Sequence, residues 1–181
     1  TLRDGDDFTF TTRNIVGDNT IVAVNYEGLP NDLKTGDTVT VNNGLVIFRV
    51  EEINGPDVRC KVVCGGELSD RKSMSFPGKI LKQQYLSDQD KDDLAFGVKN
   101  GVDFIAASFV SRRQDLIDLK NYLNIIGCDN IDIIAKIENR TGIDNIEDIC
   151  CECAGIMIGR GDLGVEIPFT ELPAIQKYII T

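Results

Sequence analysis

Ile131-Asp132-Ile133-Ile134-Ala135-Lys136-Ile137, then Thr141-Gly142-Ile143-Asp144, then Gly155-Ile156-Met157-Ile158-Gly159 reads as strand, helix start, strand. The two apolar runs are nearly continuous, the pattern of parallel strands covered by helices on both faces. Upstream, Val102–Val110 repeats the run. It is followed by Ser111-Arg112-Arg113-Gln114 and by Leu116, Leu119, Leu123 and Ile126 at helical spacing. Downstream of Thr141, Ile146, Ile149, Cys150 and Cys153 predict one helix. Strand starts at 102, 131 and 155 are 29 and 24 residues apart, the rhythm of a β/α barrel. The expected fold class is therefore α/β, a partial (β/α)8 TIM barrel, because three strands cannot close an eight-strand barrel. Ser87, Ser111 and Thr141 each precede Asp90, Gln114 or Asp144 by three residues, so each hydroxyl is expected to cap a helix. Ser87-Asp88-Gln89-Asp90 opens a helix running to about Lys99, and Thr170 is expected to begin the last one.

Outward from that region the pattern changes. Residues 1 to about 78 alternate with period two in Phe8-Thr9-Phe10-Thr11-Thr12, Ile21-Val22-Ala23-Val24-Asn25 and Thr38-Val39-Thr40-Val41. Asn42-Asn43-Gly44 is a turn signal between that last strand and Leu45–Val50. Val58–Cys64 follows and ends at Gly65-Gly66. Many short strands joined by Gly and Asn turns predict a small all-β barrel or sandwich. Two domains are expected, a small β-barrel unit over 1–78 and a partial β/α barrel over 79–181.

The 181 residues carry 19 basic and 29 acidic side chains, a net charge of −10, and 42% hydrophobic residues. Such a charge argues against nucleic acid and anionic membrane as partners, since the summed field repels phosphates. A local cationic pocket for a phosphorylated small molecule stays open. No run approaches the roughly 18 apolar residues of a membrane span. The missing initial Met, and an apolar stretch still running at Ile179-Ile180-Thr181, lead us to expect a piece of a longer protein. With no histidine, Ser-His-Asp and Cys-His nucleophile pairs and histidine metal ligands are excluded within the segment. A metal must therefore use carboxylates or thiolates. The cysteines form no pair of C-x-x-C motifs; Cys60 and Cys64 are expected on one face of a strand, and all six as buried reduced thiols in the cytoplasm.

In β/α barrels the chemistry lies at the carboxyl ends of the strands. Here those ends read Ala107-Ser108-Phe109-Val110-Ser111-Arg112, Ala135-Lys136-Ile137-Glu138-Asn139 and Gly159-Arg160-Gly161-Asp162-Leu163-Gly164. Lys136 and Glu138, two apart on a strand, point to one face. They form either an ordinary ion pair or part of a site in which Glu138 and Asp162 ligate one Mg²⁺ and Lys136 holds substrate charge. Gly161 and Gly164 let backbone approach a ligand, or serve only a tight turn. Asp88, Asp90, Asp92 and Asp93 read as a solvated helix N-terminus rather than a calcium loop.

These motifs resemble the pyruvate kinase family. The matching stretches are Gly28-Leu29-Pro30, Val41-Asn42-Asn43-Gly44-Leu45, Ser75-Phe76-Pro77-Gly78, Asp93-Leu94-Ala95-Phe96-Gly97-Val98, Ala107-Ser108-Phe109-Val110, Ala135–Asn139 and Gly155–Pro168, in family order over nearly the whole chain. The resemblance implies a β/α barrel interrupted by a small β lid, with residues 1–78 as most of the lid and 79–181 as barrel strands four to six. It implies transfer of the phosphoryl group of phosphoenolpyruvate to ADP, giving pyruvate and ATP. Lys136 then matches the catalytic lysine, Glu138 and Asp162 the ligands of Mg²⁺ or Mn²⁺, and Gly161 with Asp162 the turn that contacts substrate. Lys72 matches a lid lysine near the nucleotide phosphates, and Ser108 and Phe109 match support for Lys136. A family K⁺ site would have its ligands outside this chain, and the parent protein would be a homotetramer. The family often has acidic residues where Asn42 and Asn43 stand. Without the other strands the segment alone is expected to be inactive. Two other readings are a Mg²⁺-dependent aldolase or lyase of the related enolate-binding barrels, and a non-catalytic scaffold.

Overall fold

The computed structural model describes residues 1–79 and 81–181 and divides the chain into two units, Thr1–Gln83 and Gln84–Thr181. The first unit contains β1 (Asp7–Thr11), β2 (Ile21–Ala23), α1 (Leu29–Asp32), β3 (Thr38–Val41), β4 (Val46–Asn54), β5 (Asp57–Cys64) and β6 (Met74–Ser75). The strands form one sheet in the order β2-β1-β5-β4-β3-β6, antiparallel except for the β1–β2 pair. Alternation sends Phe8, Phe10, Val39, Phe48, Val50 and Val58 to one buried side, where Leu29 from α1 joins them. Phe8, Phe10 and Phe48 pack with ring centroids 5.0–5.3 Å apart, two of the three pairs edge-to-face.

The β3–β4 connection is four residues long, one more than Asn42-Asn43-Gly44, because β4 starts at Val46 rather than Leu45. Asn42, Asn43 and Gly44 take φ values of 56°, 56° and 80°, a left-handed run that asparagine and glycine tolerate. Cys60 and Cys64 do not share a face. Cys60 is buried, whereas Cys64 is exposed, because Cys64 pairs with Ile47 while Val62 pairs with Phe48. Val63 is thus the extra residue of a bulge, and a one-residue slip sends the next side chain to the other side.

The second unit contains α2 (Asp88–Lys99), β7 (Phe104–Ala107), α3 (Arg113–Ile125), β8 (Asp132–Ile137), α4 (Arg140–Asp144), α5 (Ile146–Cys150), β9 (Gly155–Ile158), α6 (Arg160–Glu166) and α7 (Leu172–Ile180). β7, β8 and β9 are parallel neighbours in that order. Their core is Leu116, Leu119, Ile133, Ala135, Ile137, Ile149 and Leu163, all 4% exposed or less. The mixed α/β character read from the sequence is present.

Several local expectations need correction. The first parallel strand ends at Ala107, not Val110, because the chain turns out of the sheet at Phe109, whose φ is 53°. Ser87 caps α2 as expected, in a reciprocal box with Asp90. Ser111 does not cap α3: Arg112 is the N-cap residue, and the Asp115 carboxylate accepts the N–H groups of Ser111 and Arg112. Thr141 is not a cap either, since Asn139 Oδ1 accepts the Gly142 N–H at 2.7 Å from outside the helix. The single helix expected after it breaks at Asn145 into α4 and α5, and Cys153 lies beyond both. Thr170 sits in a 3-10 turn, Phe169–Glu171, and the helix starts at Leu172, followed by Pro173 in its first turn. All six cysteines are free, but only Cys60 and Cys128 are buried. Among the described residues no helix is long and apolar enough to cross a membrane.

Candidate active site at the strand ends of the second unit

β8 carries Lys136 out of the core and hands the chain to Glu138, with buried Ile137 between them. Two residues apart, their side chains meet: Lys136 Nζ is 2.9 Å from Glu138 Oε1. Glu138 is 2% exposed, a position in which a carboxylate needs partners for its charge. It has them, because the Phe109 N–H donates to Oε2 at 2.8 Å. Lys136 Nζ also donates to Ser108 Oγ at 3.0 Å. Every buried side-chain nitrogen and oxygen among the described residues has a partner.

Asp162 arrives from the next strand. β9 pairs Ile158 with Ile137, and the Gly159 N–H donates to Ile137 O at 3.0 Å, so the end of β9 lies beside Glu138. α6 begins there and places Asp162 in its first turn. Burial, then the charge of Glu138, then a hydrogen bond with Glu138, raise the proton affinity of the Asp162 carboxyl, against the opposing pull of Lys136. Protonated Asp162 therefore favours the fold, and that stability is lost as pH rises through its raised titration range. Two carboxylates held together against their own repulsion are a hard-oxygen donor pair suited to a divalent cation. No cluster of three or more His, Cys, Asp or Glu side chains able to hold a metal occurs among the described residues. A cation held here would thus have two protein ligands and need further oxygens from water or substrate.

Three features support the site: Gly159 and Tyr85 were not anticipated, and Phe109, expected as support for Lys136, bonds Glu138 instead. An ideal Cβ on Gly159 would lie 2.5 Å from Glu138 Cγ, so this glycine, rather than Gly161 or Gly164, makes room for the carboxylate. Gly161 faces open space, and a Cβ on Gly164 would make ordinary contacts. Only the β8–β9 register could have identified Gly159. The second feature is the left-handed backbone of Phe109, a conformation costing a bulky residue roughly 1–3 kcal/mol. The third is Tyr85, whose hydroxyl donates to Ser108 O at 2.8 Å. Burial and the charges of Asp115, Asp90 and Glu138 raise its proton affinity, keeping it a neutral donor.

Lys136, Glu138 and Asp162 are therefore brought together. Lys72 lies in the first unit, exposed, shortly before β6. The run Asp88, Asp90, Asp92 and Asp93 is exposed at the start of α2, as expected of a solvated helix end. Gly159→Ala is expected to destabilise the chain by about 1–3 kcal/mol through overpacking against Glu138. Thermal melting beside Gly161→Ala checks this: equal melting temperatures for the two variants would refute the close approach.

A family model described as pyruvate kinase, barrel domain, matches residues 1–181. Pyruvate kinase from Clostridium perfringens is 41% identical over 180 residues, which is 99% of this chain and 38% of that protein. Plastidial pyruvate kinase 2 of Arabidopsis thaliana is 40% identical over 179 residues, 99% of this chain and 31% of that one. A solved pyruvate kinase from Cryptosporidium parvum superposes with a TM-score of 0.86 at 33% identity, over 98% of this chain and 38% of its own. The chain thus spans about a third of the length of the curated relatives it matches. With the match running from the first residue to the last, this chain belongs to the pyruvate kinase family.

Proposed function

We propose that this chain contributes the phosphoryl-transfer site of an enzyme that moves the phosphoryl group of phosphoenolpyruvate to ADP. The observation that carries the reading is the convergence of Lys136, Glu138 and Asp162 at the carboxyl ends of two adjacent parallel strands. In this reaction the bond between phosphorus and the enol oxygen breaks and a β-phosphate oxygen of ADP bonds to phosphorus. The departing enolate then takes a proton to become pyruvate. Such a transfer asks mainly for positioning and for neutralisation of spread negative charge. Lys136 has three N–H donors, of which Glu138 and Ser108 engage two. The third faces the transferring group and the developing enolate charge. Glu138 and Asp162 would hold Mg²⁺ or Mn²⁺, which when bound supplies Lewis-acid neutralisation of substrate oxygens. Gly161, where an added Cβ would meet nothing within 4 Å, leaves the Asp162 turn open to substrate. On this reading the second unit is a piece of a β/α barrel, and the first is the lid, whose Lys72 serves the nucleotide phosphates. The K⁺ ligands lie elsewhere in the enzyme, which works as a cytoplasmic homotetramer. The β-sheet of the first unit favours this reaction over the enolate-binding aldolases and lyases, which lack such an insertion.

The test is Mn²⁺ binding with and without oxalate, a mimic of enolpyruvate. Oxalate is expected to tighten binding by about tenfold or more, equivalent to about 1.4 kcal/mol, and Asp162→Asn to abolish the effect. The same change is expected to raise the melting temperature of the metal-free chain, because it removes a charge beside Glu138. Oxalate-enhanced binding that survives in a folded Asp162→Asn variant would refute the assignment.

A further inference from the structure

Both oxygens of Glu138 are engaged, Oε1 by Lys136 and Oε2 by the backbone of Phe109. To aim its N–H across at the end of β8, residue 109 adopts a φ of 53°, in the region where a Cβ crowds the main chain. The ring does not explain this conformation, since Phe109 is 46% exposed. The turn is instead held from all sides. Tyr85 donates to Ser108 O at 2.8 Å and Lys136 to Ser108 Oγ at 3.0 Å. Ser111 Oγ donates to Phe109 O at 3.1 Å, and Asn139 Nδ2 in turn to Ser111 Oγ at 2.8 Å. The Val110 N–H reaches Lys136 O at 3.2 Å. Opposite the turn, Gly159 leaves Glu138 space but no slack.

A carboxylate has about four lone-pair sites, and two of those on Glu138 are taken by these donors. The direction of the remaining pairs is therefore set by where the Phe109 N–H and the Lys136 ammonium group point together. We infer that residue 109 is a positioning residue: its left-handed backbone, clamped through Tyr85, fixes the plane of the Glu138 carboxylate for a divalent cation shared with Asp162. This rests on the metal reading given above. The strain belongs to the backbone, so the side chain matters only through the φ it permits.

The experiment measures Mn²⁺ affinity by electron paramagnetic resonance, without substrate, alongside the melting temperature of the metal-free, full-length protein. Phe109→Gly, free to adopt the same φ, is expected to keep the dissociation constant within about twofold, while Phe109→Val and Tyr85→Phe weaken it by about tenfold. Tyr85→Phe keeps the buried ring and answers the question if the valine variant does not fold. A purely structural role would lower melting temperatures and leave Mn²⁺ affinity alone. A folded Tyr85→Phe protein that binds Mn²⁺ like the parent therefore overturns the inference, as does a tenfold loss in Phe109→Gly. Asp162→Asn run in parallel separates the two claims. If it binds Mn²⁺ normally the metal reading itself fails; if it alone loses binding, only the role of residue 109 fails.

Discussion

Replacing Lys136 by Met in the full-length protein is expected to lower kcat for phosphoryl transfer by about 10³-fold or more, about 4 kcal/mol of barrier. The expectation follows from where the ammonium group sits. Lys136 leaves the core on β8, and its side chain is 24% exposed, so solvent only partly screens its charge. Its partners Glu138 and Ser108 fix the nitrogen at the level of Asp162, where the reacting phosphoryl group is proposed to lie. Charge that grows during the transfer meets a cation already in place, with little reorganisation left to do. Methionine preserves the length and apolar character of the stem, and Glu138 keeps its bond from the Phe109 N–H. The loss should therefore appear in kcat; the melting temperature is expected to fall as well, because the buried Glu138 carboxylate loses its cation, so rates are compared at a temperature at which both proteins are folded. Steady-state rates over a range of phosphoenolpyruvate and ADP concentrations check this. A Lys136→Met enzyme within tenfold of the parent would remove the lysine from the chemistry.

The second large effect is on stability. Phe48→Ala is expected to cost about 3–5 kcal/mol, against a total of about 5–15 kcal/mol for a typical domain. Phe48 has no exposed surface and lies at the meeting point of Phe8 and Phe10, with centroids 5.3 and 5.0 Å away. Removing it takes away the burial of the ring and two aromatic contacts, and leaves a void between β1 and β4. The neighbours cannot readily close that void, because Val46, Val50 and Val58 are already buried and stiff at χ1. Urea unfolding followed by near-ultraviolet circular dichroism measures the change. A loss under about 1 kcal/mol would show that the aromatic trio is not the centre of this core.

How far the sequence reached differs between elements. The α2 start was legible because Ser87 and Asp90 form a self-contained local box. β8 was legible because its apolar run is bounded on both sides by polar residues. The caps of α3 and α4 were misread, because a hydroxyl at the right spacing competes with whichever neighbour actually adopts the extended backbone, here Arg112 and Asn139. Cys64 was misread because a bulge opposite Ile47 breaks an alternation that looks perfect along the single strand.

In the candidate site, Lys136 and Glu138 were readable as a pair because a period of two puts them on one face, a property of the chain alone. Family membership, the α/β class and the three apolar strands were equally a matter of residue order. The sequence could nominate Asp162, but its approach to Glu138 depends on β9 pairing with β8 in one register. Gly159 acquires its role from that same register, and Phe109 from a turn held by Tyr85, Lys136, Ser111 and Asn139. These contacts join residues 21 to 29 positions apart or depend on such contacts, and no local preference encodes them. Residue order determined which groups were available for the chemistry; the pairing of strands decided which of them meet, because the angle of a carboxylate is set by neighbours that only the packed sheet brings within reach.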